Sequence, residues 1–129
     1  MNNLDEKKVY RWVLLKHIGS PDCNNGIHFD LLLEDKECCK TWRLGDIPLL
    51  DGPYVDSVCI APHSINWLDI EEKVVSGNRG VATRIKKGIF LEALPFIDNS
   101  FITIPLIWDK LPVDLVIDEN GCRIFSQKT

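Results

Sequence analysis

The chain lacks the features of secreted, disulfide-bonded or membrane-spanning proteins. Its five cysteines are an odd number and include no C-x-x-C pair, so neither a disulfide framework nor a thiolate zinc site is indicated. No apolar run approaches the roughly 18 residues of a membrane span, and the segment Met1–Lys8 lacks the apolar stretch of a secretory signal. We therefore expect reduced thiols, no membrane partner and a cytoplasmic location.

Basic residues are also in short supply. The chain has 15 Lys and Arg against 19 Asp and Glu, a formal net charge of -4. This balance excludes the broad basic surface with which proteins grip nucleic acid along its length, so any phosphate contact must be local. The prolines and glycines are spread along the chain without a composition break. The 129 residues are therefore expected to form a single domain, 1–129, with a flexible segment at 1–8.

Short β-rich segments separated by turn residues make up most of the chain. They lie at 9–16, 27–34, 38–44, 55–60, 81–85, 89–94, 100–108, 113–117 and 122–125. The turn-forming sequences Asp35–Glu37, Lys86–Gly88 and Asp118–Gly121 predict hairpins and hence antiparallel pairing. No long helical period is present. We expect an all-β fold with little helix, a small antiparallel β-barrel of about eight strands.

The segment His28–Glu34 carries the clearest chemical signal. In a strand, alternation places His28 and Asp30 on one face with Leu32 and Glu34, and three apolar residues on the other. Imidazole and carboxylate groups are both ligands for Mn²⁺ or Zn²⁺. Taken alone, a segment of this kind is more often an amphipathic strand whose polar side chains simply face solvent.

The other two histidines strengthen the metal hypothesis. His17 ends the strand before the loop that leads to His28, and His63 follows a later strand. If the first two strands are neighbours, their imidazoles approach each other, and His63 can join them at the same end. Three histidines and Asp30 could then converge on one site.

Five sequence motifs resemble the 3′-phosphoesterase domain found at the N-terminus of bacterial DNA ligase D and in stand-alone archaeal and bacterial relatives. The matching motifs, which span roughly residues 9 to 90, are Trp12–His17, His28–Glu34, Lys40–Trp42, His63 with Trp67–Glu71, and Ser76–Gly80. All three histidines of the chain fall on positions of the family pattern.

The resemblance implies a set of roles. In that family the first two histidines and the aspartate bind a catalytic divalent ion, usually Mn²⁺, which here corresponds to His17, His28 and Asp30, although Zn²⁺ or another divalent ion is compatible with these ligands. The later histidine contacts the scissile phosphate, a role that falls to His63. Glu34 matches the family's glutamate and is expected to orient a metal ligand.

The chain also departs from the family pattern. Leu32 stands where the family has a phosphate-binding arginine, and leucine cannot make a bidentate contact to an oxyanion. Trp67 replaces a tyrosine, and the loop between the first two histidines is about five residues longer and lacks basic residues. Replacement cations are available, and we expect substrate contacts from Arg43, Arg84 and Trp67. Arg79, flanked by Gly77 and Gly80, is the preferred catalytic cation.

Two functions follow from this comparison. The first is a Mn²⁺-dependent phosphoesterase that removes a 3′-phosphate or a 3′-terminal ribonucleotide from nucleic acid, or acts on a nucleotide, with a ligase or repair protein acting in trans. The second is a non-catalytic metal-binding or regulatory module that keeps the fold but has lost activity with the change to Leu32. A cupin-type metalloenzyme is disfavoured, because cupins place a glycine-rich motif around a His-x-His pair and this chain has His-x-Asp.

Overall fold

A computed structural model describes residues 9–19, 26–95 and 101–127, and within those ranges the fold is all-β, as predicted. The strands are β1 Tyr10–Ile18, β2 Ile27–Asp35, β3 Cys38–Leu44, β4 Ser57–Ser64, β5 Glu72–Val74, β6 Val81–Phe90, β7 Ile102–Trp108, β8 Leu111–Asp118 and β9 Gly121–Ser126. A 3-10 helix spans Ile65–Asp69. The flexible segment expected at 1–8, and the first residue of the strand expected at 100–108, lie outside the described residues.

The strands form two antiparallel sheets. Six strands pair in the order β4-β3-β2-β1-β6-β5, and three pair in the order β7-β8-β9. Outside the named strands, the isolated bridges Leu50↔Ile124 and Val55↔Cys122 tie the segment between β3 and β4 to β9. No closed barrel is found in the described parts of the chain, so the antiparallel all-β class is confirmed but the expected barrel is replaced by two sheets. No helix in these ranges is long and apolar enough to cross a membrane.

The main core lies between the two sheets. Alternate residues of β1 and β2, including Trp12, Leu14 and Leu31, point towards the three-stranded sheet and are fully buried. Trp12 stacks on Trp108 with ring centroids 4.6 Å apart. Its indole N–H donates to the Ile107 carbonyl at 3.0 Å, so the one polar atom of this side chain is satisfied inside the core.

The hairpin predicted at Lys86–Gly88 is wrong. Strand β6 continues through these residues and pairs with β1 from Val81 opposite Ile18 to Phe90 opposite Tyr10. Gly88 allows a close contact: a Cβ there would lie 2.5 Å from the Trp12 Nε1 atom. The glycine is therefore needed for packing rather than for a turn. The two other predicted hairpins are confirmed, between β2 and β3 and between β8 and β9.

The opposite face of the six-stranded sheet has a smaller apolar cluster. It contains Val13, Leu15, Leu32, Cys39 and Leu68, with Ile65 and Trp67 packed against it. Leu68 belongs to the 3-10 helix, which begins where the Ser64 hydroxyl accepts a hydrogen bond from the Asn66 amide at 3.2 Å. The helix is only five residues long. It therefore covers part of this face, and the candidate site lies beside it.

Candidate metal centre

His17 and His28 face each other across the first two strands. They are direct partners in the β1–β2 register, and the Nδ1 atom of His17 lies 3.1 Å from the Nε2 atom of His28. Asp30, on the same face of β2, places its Oδ2 atom 3.3 Å from that His28 nitrogen. The exposed fractions are 9% for His17, 4% for His28 and 3% for Asp30. The three predicted metal ligands are therefore brought together in a nearly buried cluster.

The distances between the ligand atoms fit a divalent ion. One potential ligand atom from each residue lies within 4.8 Å of the others. For metal–ligand bonds of about 2.1 Å, neighbouring ligands in octahedral or tetrahedral geometry lie about 3.0 to 3.4 Å apart. The separations of 3.1 and 3.3 Å fall in that range. Two nitrogens and one oxygen suit Mn²⁺, Zn²⁺ and other borderline ions, so the ligand set supports a metal without selecting one.

A backbone carbonyl fixes the tautomer of His17. The Nε2 atom of His17 is hydrogen-bonded to the carbonyl oxygen of Arg79. Because a carbonyl can only accept, Nε2 carries a proton, and in the neutral tautomer that fits this contact Nδ1 presents a lone pair towards His28. Ligating histidines commonly donate their second ring N–H to a carbonyl or carboxylate in this way.

Burial favours the neutral form of His28. Loss of solvation lowers the pKa of His28 below its usual value, the carboxylate of Asp30 opposes this shift, and the positive charge of Arg43 and the neighbouring His17 imidazole add to it. A neutral imidazole is the form that binds a metal ion. The environment of His28 therefore matches the requirement of a ligand.

A cavity of about 170 Å³ adjoins the cluster. Its lining consists of Leu15, His17, Asp30, Arg43, His63, Trp67, Val75, Arg79 and Ala82. Arg43 is the cross-strand neighbour of Asp30, and its Nε atom lies 3.3 Å from Oδ1 of that carboxylate. The Nε2 atom of His63 lies 3.9 Å from Oδ2 of Asp30. Four of the residues predicted to act beside the metal thus share one cavity with two of its ligands.

The remaining two predicted site residues occupy other positions. Glu34 is buried at the far end of β2, where its carboxylate accepts a hydrogen bond from the Arg11 amide at 2.9 Å. Arg84 donates to the Leu68 carbonyl at 3.2 Å and lies 3.5 Å from the Glu71 carboxylate. The same carbonyl accepts from Arg11 at 2.7 Å. Arg11 and Arg84 thus anchor the 3-10 helix. Neither Glu34 nor Arg84 belongs to the lining of the cavity described above.

Leu32 lies next to the metal cluster but inside the apolar one. Its side chain is fully buried and packs in the cluster closed by Leu68 of the 3-10 helix. Position 32 is therefore occupied by a core residue. The guanidinium of Arg43, on the neighbouring strand, lies beside the cluster instead, with its Nε atom 3.3 Å from Oδ1 of Asp30.

Two groups near the site, one side chain and one backbone carbonyl, are not predicted from the sequence. The ammonium of Lys73 lies 5.5 Å from the centroid of the Trp67 ring, but β5, the strand that carries Lys73, was not predicted. The Arg79 carbonyl is a backbone group, which every residue has, so the sequence contains no sign of its role.

The cavity combines part of a cluster able to hold a divalent ion with the partly exposed imidazole of His63 and two arginine residues, Arg43 and Arg79. Such a set can bind an anion, orient it against the ion and exchange a proton with it. Comparison of the chain with family models and with curated proteins gives no match.

Proposed function

We propose that this protein is a Mn²⁺-dependent phosphoesterase that acts on 3′-phosphate or 3′-ribonucleotide ends of nucleic acid. The observation that carries the proposal is the placement of His63, Arg43 and Arg79 around the cavity that adjoins the His17, His28 and Asp30 cluster. The ordered motifs that resemble the ligase D phosphoesterase domain support the same reaction. A cytoplasmic location and a ligase or repair protein acting in trans are parts of this proposal.

Each group has a chemical task in the proposed reaction. His17, His28 and Asp30 would hold the ion, which when bound supplies Lewis acidity and a more acidic water. Arg43 and Arg79 would bind the non-bridging oxygens of the phosphate, for which guanidinium groups are suited. His63, half-buried at the cavity wall, would donate a proton to a phosphate oxygen or hold it. Trp67 would contact the sugar or base that follows.

The cavity is small for a whole nucleotide. Its volume of about 170 Å³ is below the roughly 300 to 1,000 Å³ of pockets that enclose drug-sized ligands. A phosphate group fits this space, and the rest of the strand would remain outside. This size agrees with recognition of an end, and the net charge of -4 provides no basic surface for a longer contact.

The test is end trimming by the metal-stripped protein. One primer-template ends in a 3′-phosphate and another in a single ribonucleotide, each incubated with and without Mn²⁺, and product length reports both reactions. We expect Mn²⁺-dependent trimming by the wild type and a loss of about 10³-fold or more in Asp30→Ala, because that change removes a metal ligand. Asp114→Ala, on the three-stranded sheet, is the matched control. Undiminished trimming by Asp30→Ala would contradict the proposal.

The second candidate is a non-catalytic module that keeps the metal site. The burial of Leu32 in the apolar cluster favours it, because a phosphate-binding cation is missing where the related family has one. Binding of Mn²⁺ that depends on Asp30, without trimming of either end, would support this function. Trimming that requires both Mn²⁺ and Asp30 would exclude it.

A further inference from the structure

One turn contacts the candidate site through two groups of the same residue. The turn, Ser76–Gly80, connects β5 to β6, and the carbonyl of Arg79 accepts the Nε2 proton of His17. Arg79 is one of the residues that line the cavity, and its Nε atom donates to the Ser76 carbonyl at 2.9 Å. The backbone of Arg79 therefore contacts a proposed metal ligand, and the same residue lines the space assigned to the phosphate.

Gly80 allows the turn to approach β1 this closely. Its φ of +83° lies in the left-handed region, and a Cβ atom there would come within 1.9 Å of the Ile18 carbonyl oxygen. Ile18 directly follows His17. A hydrogen bond from the Val75 amide to the Gly80 carbonyl, at 2.8 Å, closes the turn. A side chain at position 80 would push the backbone of the turn away from the end of β1, and the Arg79 carbonyl would move with it.

We propose that the Ser76–Gly80 turn couples metal binding to oxyanion binding, because Arg79 orients His17 with its carbonyl and binds the anion with its guanidinium. The inference deepens the proposed function and rests on it for the identity of the anion. Arg79 is a substrate-binding residue through its side chain. Gly80 is a positioning residue.

The coupling follows from the two contacts. The carbonyl of Arg79 holds His17 in the tautomer that presents Nδ1 as a ligand, and outer contacts of this kind change metal affinity by about 10 to 100-fold. An anion that binds the Arg79 guanidinium restrains the turn and with it the carbonyl. Anion binding therefore strengthens metal binding, and by linkage the metal strengthens anion binding by the same factor.

The experiment measures Mn²⁺ affinity of the full chain by the electron paramagnetic resonance signal of free Mn²⁺, with and without inorganic phosphate. In the wild type, phosphate is expected to tighten Mn²⁺ binding about fivefold or more. Gly80→Ala should weaken Mn²⁺ binding by about 10 to 100-fold. Arg79→Gln keeps the carbonyl, so it should retain Mn²⁺ affinity within about threefold and lose the response to phosphate.

Gly77→Ala is the matched control for the variant at Gly80. Gly77 lies in the same turn with a φ of +74°, but a Cβ there meets only the Arg79 Nε atom, at 3.9 Å. It imposes similar backbone strain without the clash with Ile18, so its Mn²⁺ affinity should stay near that of the wild type. Equal losses in Gly77→Ala and Gly80→Ala would overturn the role of the close approach to β1.

A measurement without substitutions covers the case in which Gly80→Ala does not fold. Long-range ¹H–¹⁵N correlation spectra of the metal-free wild type report which ring nitrogen of His17 carries the proton, and the proposal requires Nε2. Protonation at Nδ1 alone would overturn it. Trimming of 3′-phosphate ends without any effect of phosphate on Mn²⁺ affinity would overturn the coupling and leave the proposed function intact. Coupling without trimming supports the inference and contradicts the proposed function.

Discussion

The two faces of the six-stranded sheet are covered very differently. The three-stranded sheet packs on one face, where buried residues of β1, β2 and β3 meet those of β7, β8 and β9 in a single cluster. The other face carries a cluster of four buried strand residues, which are covered by Leu68 of a 3-10 helix. The same strands supply both faces, because successive side chains of a strand point to opposite sides.

The unequal cover of the two faces explains why the site lies where it does. Where the three-stranded sheet covers the six-stranded sheet, every polar group of a side chain would be buried and would need a hydrogen-bond partner inside the protein. The side chains on that face are accordingly apolar. Under the short helix, the apolar cluster ends at Leu15 and Leu32, and the next residues on this face are His17 and Asp30. Polar side chains therefore occupy this face beyond the edge of the helix, where they contact one another and line a cavity.

The largest expected effects test whether the two faces differ in rigidity. Leu31 and Leu32 are adjacent, fully buried and on opposite faces. We expect Leu31→Ala to lower the free energy of unfolding by about 3 to 5 kcal/mol and Leu32→Ala by about 2 to 3 kcal/mol, because the short helix can relax over the space that is left. Urea denaturation of the metal-free protein measures both. Equal losses, or a larger loss for Leu32→Ala, would contradict the comparison.

Substitution of Leu32 by a charged residue tests how apolar the helix-covered face is. Leu32→Arg places a guanidinium in the apolar cluster, and we expect it to lower the free energy of unfolding by about 2 to 4 kcal/mol without raising end trimming. Leu32→Met, which nearly conserves volume, should cost below about 1.5 kcal/mol. A stable Leu32→Arg protein with stronger trimming would show that this part of the face accepts a phosphate contact.

The anchor of the helix should affect activity more than stability. Arg84→Met removes one of the two guanidinium donors to the Leu68 carbonyl, at an expected cost of about 1 kcal/mol. Trimming should fall further than stability, since the helix carries Trp67. Arg123→Met is the control, because Arg123 Nε donates to the Gly52 carbonyl at 2.9 Å on the other sheet. Equal effects of both variants on trimming would argue against an anchoring role for Arg84.

The smallest expected effect is a difference in reactivity between two buried cysteines, one on each side of the six-stranded sheet. Burial raises the pKa of both Cys39 and Cys122 to about 12, and because the thiolate is the reactive form, both should resist alkylation near pH 8. Cys39 lies beneath the helix and Cys122 between the sheets. We expect Cys39 to be labelled first as urea is raised, by local opening of the helix. Peptide mass spectrometry with exposed Cys59 as the internal reference measures the order.

The raised pKa values of Cys39 and Cys122 also predict a loss of stability at high pH. In the unfolded chain a thiol ionises near pH 9, whereas the folded pKa is about 12. Above about pH 9 the unfolded state therefore binds fewer protons than the folded state, and stability falls as pH rises, by at most about 1.4 kcal/mol per unit for each cysteine. Cys122→Ala should reduce this slope. An unchanged slope in that variant would show that other groups cause it.

Alternation made much of the site predictable. The period of two residues in His28–Glu34 correctly separated the core side of β2 from the site side, and the ordered motifs selected His17 and His63 as companions of Asp30. Register was beyond the sequence, because the direct pairing of His17 with His28 depends on how β1 and β2 align. The contacts of Glu34 and Arg84 with Arg11 and Leu68 depend on tertiary packing. Gly88 was wrongly predicted to lie in a turn, because its role depends on a contact with the Trp12 ring, which is distant in the sequence.

The pairing of β1 with β2 also has a kinetic consequence. All three proposed metal ligands fall between residues 17 and 30, on two strands that are neighbours in the chain and in the sheet. Bringing them together requires closure of one short loop, which costs less entropy than the pairings that join distant parts of the chain. An ion present during refolding could therefore bind this strand pair before the rest of the sheet forms. Mn²⁺ would then increase the folding rate as well as slow unfolding.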